Sequence, residues 1–110
     1  MSFIHKELAS GRWDNLSFID QLANIGSEIS RAVRWKDKDE KLFWSAVARA
    51  QELFILTITD PKWSGPRLRE LSRLYEVFCD AVLGGEKYNS SLKDLEKYFF
   101  YFALLSRRGV

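Results

Sequence analysis

Apolar residues recur at helical spacing in four separate stretches of this chain, and one stretch has almost no polar side. From Leu42 to Ile58 the run LFWSAVARAQELFILTI is broken only by Ser45, Arg49, Gln51, Glu52 and Thr57. A surface helix normally carries one apolar stripe and a broad polar face. Here the polar face narrows to the line Lys41, Ser45, Arg49 and Glu52. Phe43, Ala46, Val47, Ala50, Leu53, Phe54 and Ile58 form the main face, and Asp39 is placed to cap the start. Leu42, Trp44, Ile55 and Leu56 lie on flanks that three neighbouring helices do not easily cover. The pattern therefore calls for a second protomer or an N-terminal arm against this helix.

The other stretches carry ordinary amphipathic patterns. From Ser17 to Trp35, Phe18, Leu22, Ile25, Ile29 and Ala32 recur at alternating four and three spacings, widened by Ile19, Gly26 and Val33. The small residues Ala23, Gly26 and Ser27 allow another backbone close to this helix. Ser17 with Asp20 has the spacing of a capping box. A third helix starts near Ser64-Gly65-Pro66, buries Leu68, Leu71, Leu74, Tyr75, Phe78, Ala81 and Val82, and ends at Gly84-Gly85. A fourth starts at Ser90 or Ser91, with Asp94 again at capping-box spacing, and closes with Arg107 and Arg108. Asp60-Pro61 stops the second helix, because a residue before proline is driven out of the helical region. Short connections between four helices predict an all-α, up-down antiparallel four-helix bundle over residues 17–110. Residues 1–16 read as an N-terminal arm that Phe3, Ile4, Leu8 and Trp13 would pack onto the bundle.

Composition narrows the function more than the fold. At 110 residues the chain is one domain with enough core to stand without staples. A net charge of +2 is too small to argue for nucleic acid by itself. The single Cys79 excludes an internal disulfide and suits a reducing cytoplasm. The N-terminal segment lacks the apolar run of a signal peptide, and the dry helix carries Arg49 and Glu52, so no membrane span is expected.

Reactive side chains are sparse. His5 is the only histidine, with no acid or nucleophile at a telling distance. A metal site in a bundle needs several inward histidines or carboxylates, such as paired Glu-x-x-His motifs, and none is present. Cys79 has no histidine to activate it and reads as a structural thiol. Gly84-Gly85 follows a helix instead of preceding one, so it is no phosphate loop. Most of the scattered carboxylates, Glu28, Glu52 and Glu70 among them, read as solvated faces. No catalytic, cofactor-binding or metal-binding residue and no small-molecule substrate is expected.

Two patterns point to binding. One end of an up-down bundle would collect Arg12, Lys62, Arg67, Arg69, Arg73, Arg107 and Arg108 beside Trp13 and Trp63, a mixture suited to nucleic acid or an acidic partner; the alternative is that Arg107 and Arg108 compensate a helix terminus and the others keep the surface soluble. The run Tyr98-Phe99-Phe100-Tyr101-Phe102 cannot turn all its rings to one core; Phe99 and Phe102 fit the stripe, and Phe100 and Tyr101 point away. Exposed aromatic groups of this kind mark an interface.

The segments Gln21-Leu22-Ala23-Asn24-Ile25-Gly26-Ser27-Glu28-Ile29 and Phe43-Trp44-Ser45-Ala46-Val47-Ala48-Arg49-Ala50-Gln51-Glu52-Leu53, separated by a charged turn, carry a resemblance. They resemble the small four-helix-bundle family of the ribosomal-RNA intervening-sequence protein and the accessory variability protein of diversity-generating retroelements. The chain differs in having a short arm where that family has a full first helix, and a helix added afterwards. The resemblance implies a non-enzymatic, oligomeric bundle that binds nucleic acid or a protein partner. The alternative from another class is a purely structural adaptor of a toxin–antitoxin or defence complex, with no nucleic-acid role.

Overall fold

The computed structural model of the protein describes residues 13–85 and 91–108. A 3-10 turn, Trp13–Asn15, leads into four helices: α1 Phe18–Trp35, α2 Glu40–Ile58, α3 Pro66–Val82 and α4 Leu92–Arg107. No strand occurs among the described residues. The principal extents are 35 × 29 × 26 Å. At 1.5 Å per residue α2 alone is about 28 Å long, so the helices lie side by side.

Local chemistry sets the helix ends. Ser17, Asp39 and Ser91 each accept a backbone N–H three residues on. Only Ser91 completes a capping box, with Asp94 accepting the Ser91 amide at 3.1 Å. The expected box at Ser17 is half-formed. Asp20 turns away and accepts from the Ser106 hydroxyl in the last turn of α4, a tertiary partner that outcompetes the local one. Pro66 stands in the first turn of α3. Beyond that helix, Gly84 and Gly85 take positive φ values, and the Gly85 amide donates back to Asp80 O at 2.9 Å. That 6→1 bond closes a Schellman motif, which needs the left-handed backbone glycine adopts without strain.

α1 packs extensively against both α4 and α2, and α3 closes the fourth side. Gly26 lets α4 come close: a Cβ on it would stand 2.8 Å from Phe99 Cβ. Phe54 is the hub of the core, with Tyr75, Phe78 and Phe99 at ring-centroid distances of 5.2, 5.4 and 6.0 Å. Ile25, Ile29, Ala32, Ala50 and Leu71 are fully buried around it. Trp13, read from sequence as an arm residue, belongs to this core and is 1% exposed. Phe3, Ile4, His5, Leu8 and Arg12 lie outside the described residues.

The core is not wholly apolar. Gln21, Glu28, Thr57 and Asp60 are all buried. Trp13 Nε1 donates to Thr57 Oγ1 at 3.0 Å, and that hydroxyl donates to Leu53 O at 2.7 Å. Gln21 Nε2 donates to Trp13 O at 3.0 Å and to Asp60 Oδ2 at 3.2 Å. Trp63 Nε1 in turn donates to Gln21 Oε1 at 2.7 Å. The network fastens the segment before α1 to the α2–α3 connection and satisfies groups that would each cost about 1–3 kcal/mol if buried without a partner. Glu28, expected to be solvated, accepts from Arg31 Nη1 at 2.7 Å, while its Oε2 has no hydrogen-bond partner among the described residues.

Candidate binding surface

The expected cationic pole is divided between structural and free groups. Lys62 Nζ donates to Leu16 O at 3.1 Å and lies 3.7 Å from Asp60 Oδ2. The guanidinium of Arg67 stacks over Phe18 and Trp63 at 5.5 and 5.4 Å, covering rings that themselves touch. Both cations are engaged in holding the α2–α3 connection against the start of α1. Arg69, Arg73, Arg107 and Arg108 are exposed.

The aromatic run of α4 divides according to helical geometry. Phe99 is buried and Phe102 packs on the core. Tyr98 donates its hydroxyl to Glu70 Oε1 at 3.0 Å, tying α4 to α3. Burial and that carboxylate push the Tyr98 phenol above its ordinary value, and Arg73 opposes the shift. Phe100 and Tyr101 are 56% and 68% exposed.

Beside them runs a groove between α1 and α4, made of two adjoining depressions of about 650 and 420 Å³ that share Ser30, Arg34, Glu96 and Phe100. Its floor is made of the small residues Ala23, Gly26, Ser27 and Ala103. Its walls carry Arg34, Lys97, Phe100, Tyr101 and Arg107, with Glu96 the acid among them. Arg34 also lines the adjoining depression over the α1–α2 turn and the start of α4, where Lys36, Lys38 and Lys93 stand near Asp37. One cationic track therefore passes along α1 and around the end of α4. No contiguous sequence pattern marks it, because its cations come from two helices and a turn.

A second surface lies on α2. Trp44, Ala48, Gln51 and Ile55 follow at four, three and four residues and form one line. Trp44 and Ile55 are each 46% exposed and Leu42 is 41% exposed. Leu56 is partly buried against the core, so that flank is better covered by the chain itself than expected. Trp44 also edges an apolar groove toward α3 with Val47, Cys79 and Val82; Leu83, beside it, is 82% exposed. Cys79 is half-buried, and burial together with this thiol raises the neighbouring Tyr75 phenol.

Among the described residues no three His, Cys, Asp or Glu side chains gather as metal ligands, and no helix is long and apolar enough to cross a membrane. No family model, curated protein or solved structure matches the chain.

Proposed function

We propose that the protein is a non-enzymatic helical-bundle module that self-associates through α2 and binds a partner, nucleic acid or protein, through its surface grooves. The observation that carries this reading is the set of large apolar side chains outside a core that is already closed: Trp44, Ile55, Phe100 and Tyr101. Two α2 helices can bury the line that carries Trp44 and Ile55, while Phe100 and Tyr101 on α4 are left for the partner. The four–three–four spacing of Trp44, Ala48, Gln51 and Ile55 is that of a coiled-coil seam. Across a two-fold axis each copy would present the same line to its partner.

The same reading takes the four helices as up-down and antiparallel. Asp20 meeting Ser106, and Gly26 meeting Phe99, support opposite directions for α1 and α4. The resemblance of the α1 and α2 segments to the intervening-sequence bundle family points the same way. The lone Cys79 suits residence in the cytoplasm.

Light scattering during size-exclusion chromatography tests the assembly. A mass at a multiple of the 12.9 kDa chain is expected at micromolar concentration. Elution as a single chain under those conditions would overturn self-association.

A further inference from the structure

We propose that the α1/α4 track is a binding site for single-stranded nucleic acid, an inference that rests on the binding-module reading and names its ligand. Charge is the first argument. Arg34, Lys36, Lys38, Lys93, Lys97 and Arg107 line the joined grooves, against Asp37 and Glu96. Arg31, also on the wall, is left out of that balance because Glu28 holds it. Of the acids flanking the turn, Asp39 and Asp94 are engaged at helix starts, while Glu40 stands exposed in the first turn of α2 and subtracts from the balance. Asp39 accepts the Leu42 amide and Asp94 the Ser91 amide, where the positive end of each helix offsets their charge. A polyanion laid along the track therefore meets an excess of cations.

The rings decide which polyanion fits. Phe100 and Tyr101 project beside the cations with more than half their surface free. A duplex presents phosphates but keeps its bases stacked inside, so it gains nothing from them. A single strand can lay bases on those rings while its phosphates follow the arginines and lysines, as in sequence-tolerant single-strand binding. Ala23, Gly26, Ser27 and Ala103 are small, so no long side chain blocks that part of the groove. From Ala23 to Arg34 the α1 wall extends roughly 16 Å, room for a short run of nucleotides. An acidic protein helix would match the charge but not the continuation of the track around the α1–α2 turn.

The test is fluorescence anisotropy on the full chain, with a labelled mixed-sequence oligonucleotide of about twelve nucleotides and with its duplex. The single strand should bind more tightly than the duplex. If four cations each neutralise a phosphate, raising salt from about 50 to about 200 mM should weaken binding about 50-fold. The double variant Arg34→Glu with Lys93→Glu should lower affinity by at least about tenfold, and Phe100→Ala with Tyr101→Ala by about tenfold for the single strand only. All four residues are exposed, and Arg34→Lys with Lys93→Arg should keep binding, which separates lost charge from lost fold. Arg69→Glu with Arg73→Glu is the control on the other surface.

Three outcomes would overturn the proposal. One is tight binding that ignores the groove variants or falls equally with the control pair; this leaves the binding-module reading intact and moves its site. Another is equal affinity for duplex and single strand with no loss on removing the rings. The third is no binding of either nucleic acid at low salt. In that last case light scattering on the same samples separates the two readings, because an oligomer retains a self-associating module and a monomer removes both.

Discussion

Gln21 shows how much one side chain can hold. It occupies the apolar stripe of α1, between Phe18 and Ile25, yet its amide joins Trp13, Asp60 and Trp63. Replacing it with leucine keeps the volume but strands two acceptors and an indole donor. Gln21→Leu should therefore destabilise the fold by about 3 kcal/mol, read as a lowered urea midpoint with unchanged slope. A gain in stability would show that the network is dispensable. Asp94 gives a pH dependence with a definite sign. Its hydrogen bonds with the Ser91 amide and hydroxyl hold its carboxyl below the ordinary value. The stability it contributes is present above the unfolded carboxyl pKa and is lost as pH falls through the lower folded value. Asp94→Asn should flatten the acid limb of the stability curve while leaving the alkaline limb unchanged; an unaltered acid limb would deny Asp94 this role.

At the scale of elements, contacts between helices depend on residues that look unremarkable one at a time. Gly26→Ala gains about 0.5–1 kcal/mol of helix propensity. Against this, its Cβ would meet Phe99 Cβ at 2.8 Å, and overpacking of this kind costs typically 1–3 kcal/mol. The clash involves a Cβ rooted in backbone, so it should win, with a net loss of about 1 kcal/mol by thermal or chemical melting. A stabilised Gly26→Ala would mean that α4 is free to shift. On α2 the exposed line makes the opposite prediction. Trp44→Glu with Ile55→Glu should leave helicity and melting of the isolated chain nearly unchanged, because both side chains are half in water, yet reduce the mass seen by light scattering to one chain. Retention of the assembly would place the contact elsewhere.

At the scale of the whole molecule, Trp13 connects parts that sequence reading keeps separate. It precedes the first helix, yet its ring is buried and its indole reaches Thr57, 44 residues away. Trp13→Ala should cost about 3–5 kcal/mol, a fall in melting temperature of roughly 15 °C. A change of only a few degrees would make the segment before α1 an accessory. The buried network also explains why the arginine-rich end is less available than its composition suggests. Lys62 and Arg67 support the same junction that Trp13 and Gln21 close.

The number of helices and most of their ends were legible in the chain. Caps, proline position and the Gly84-Gly85 stop act within a few residues, so their physics is written locally. The division of the Tyr98–Phe102 rings followed as well, because helical periodicity alone separates Phe99 from Phe100 and Tyr101. The destination of a polar group was not legible when a distant partner competed for it. Asp20 had the spacing for a local cap and took Ser106 instead. Gln21 and Thr57 sit at stripe positions where a polar residue signals a buried partner without naming it. The cationic track likewise needed α1, the turn and the start of α4 brought together. Local sequence determined which segments are helical and which faces are apolar; only the tertiary structure decided which polar groups are buried in pairs and which charges stay free, because those depend on residues dozens of positions apart.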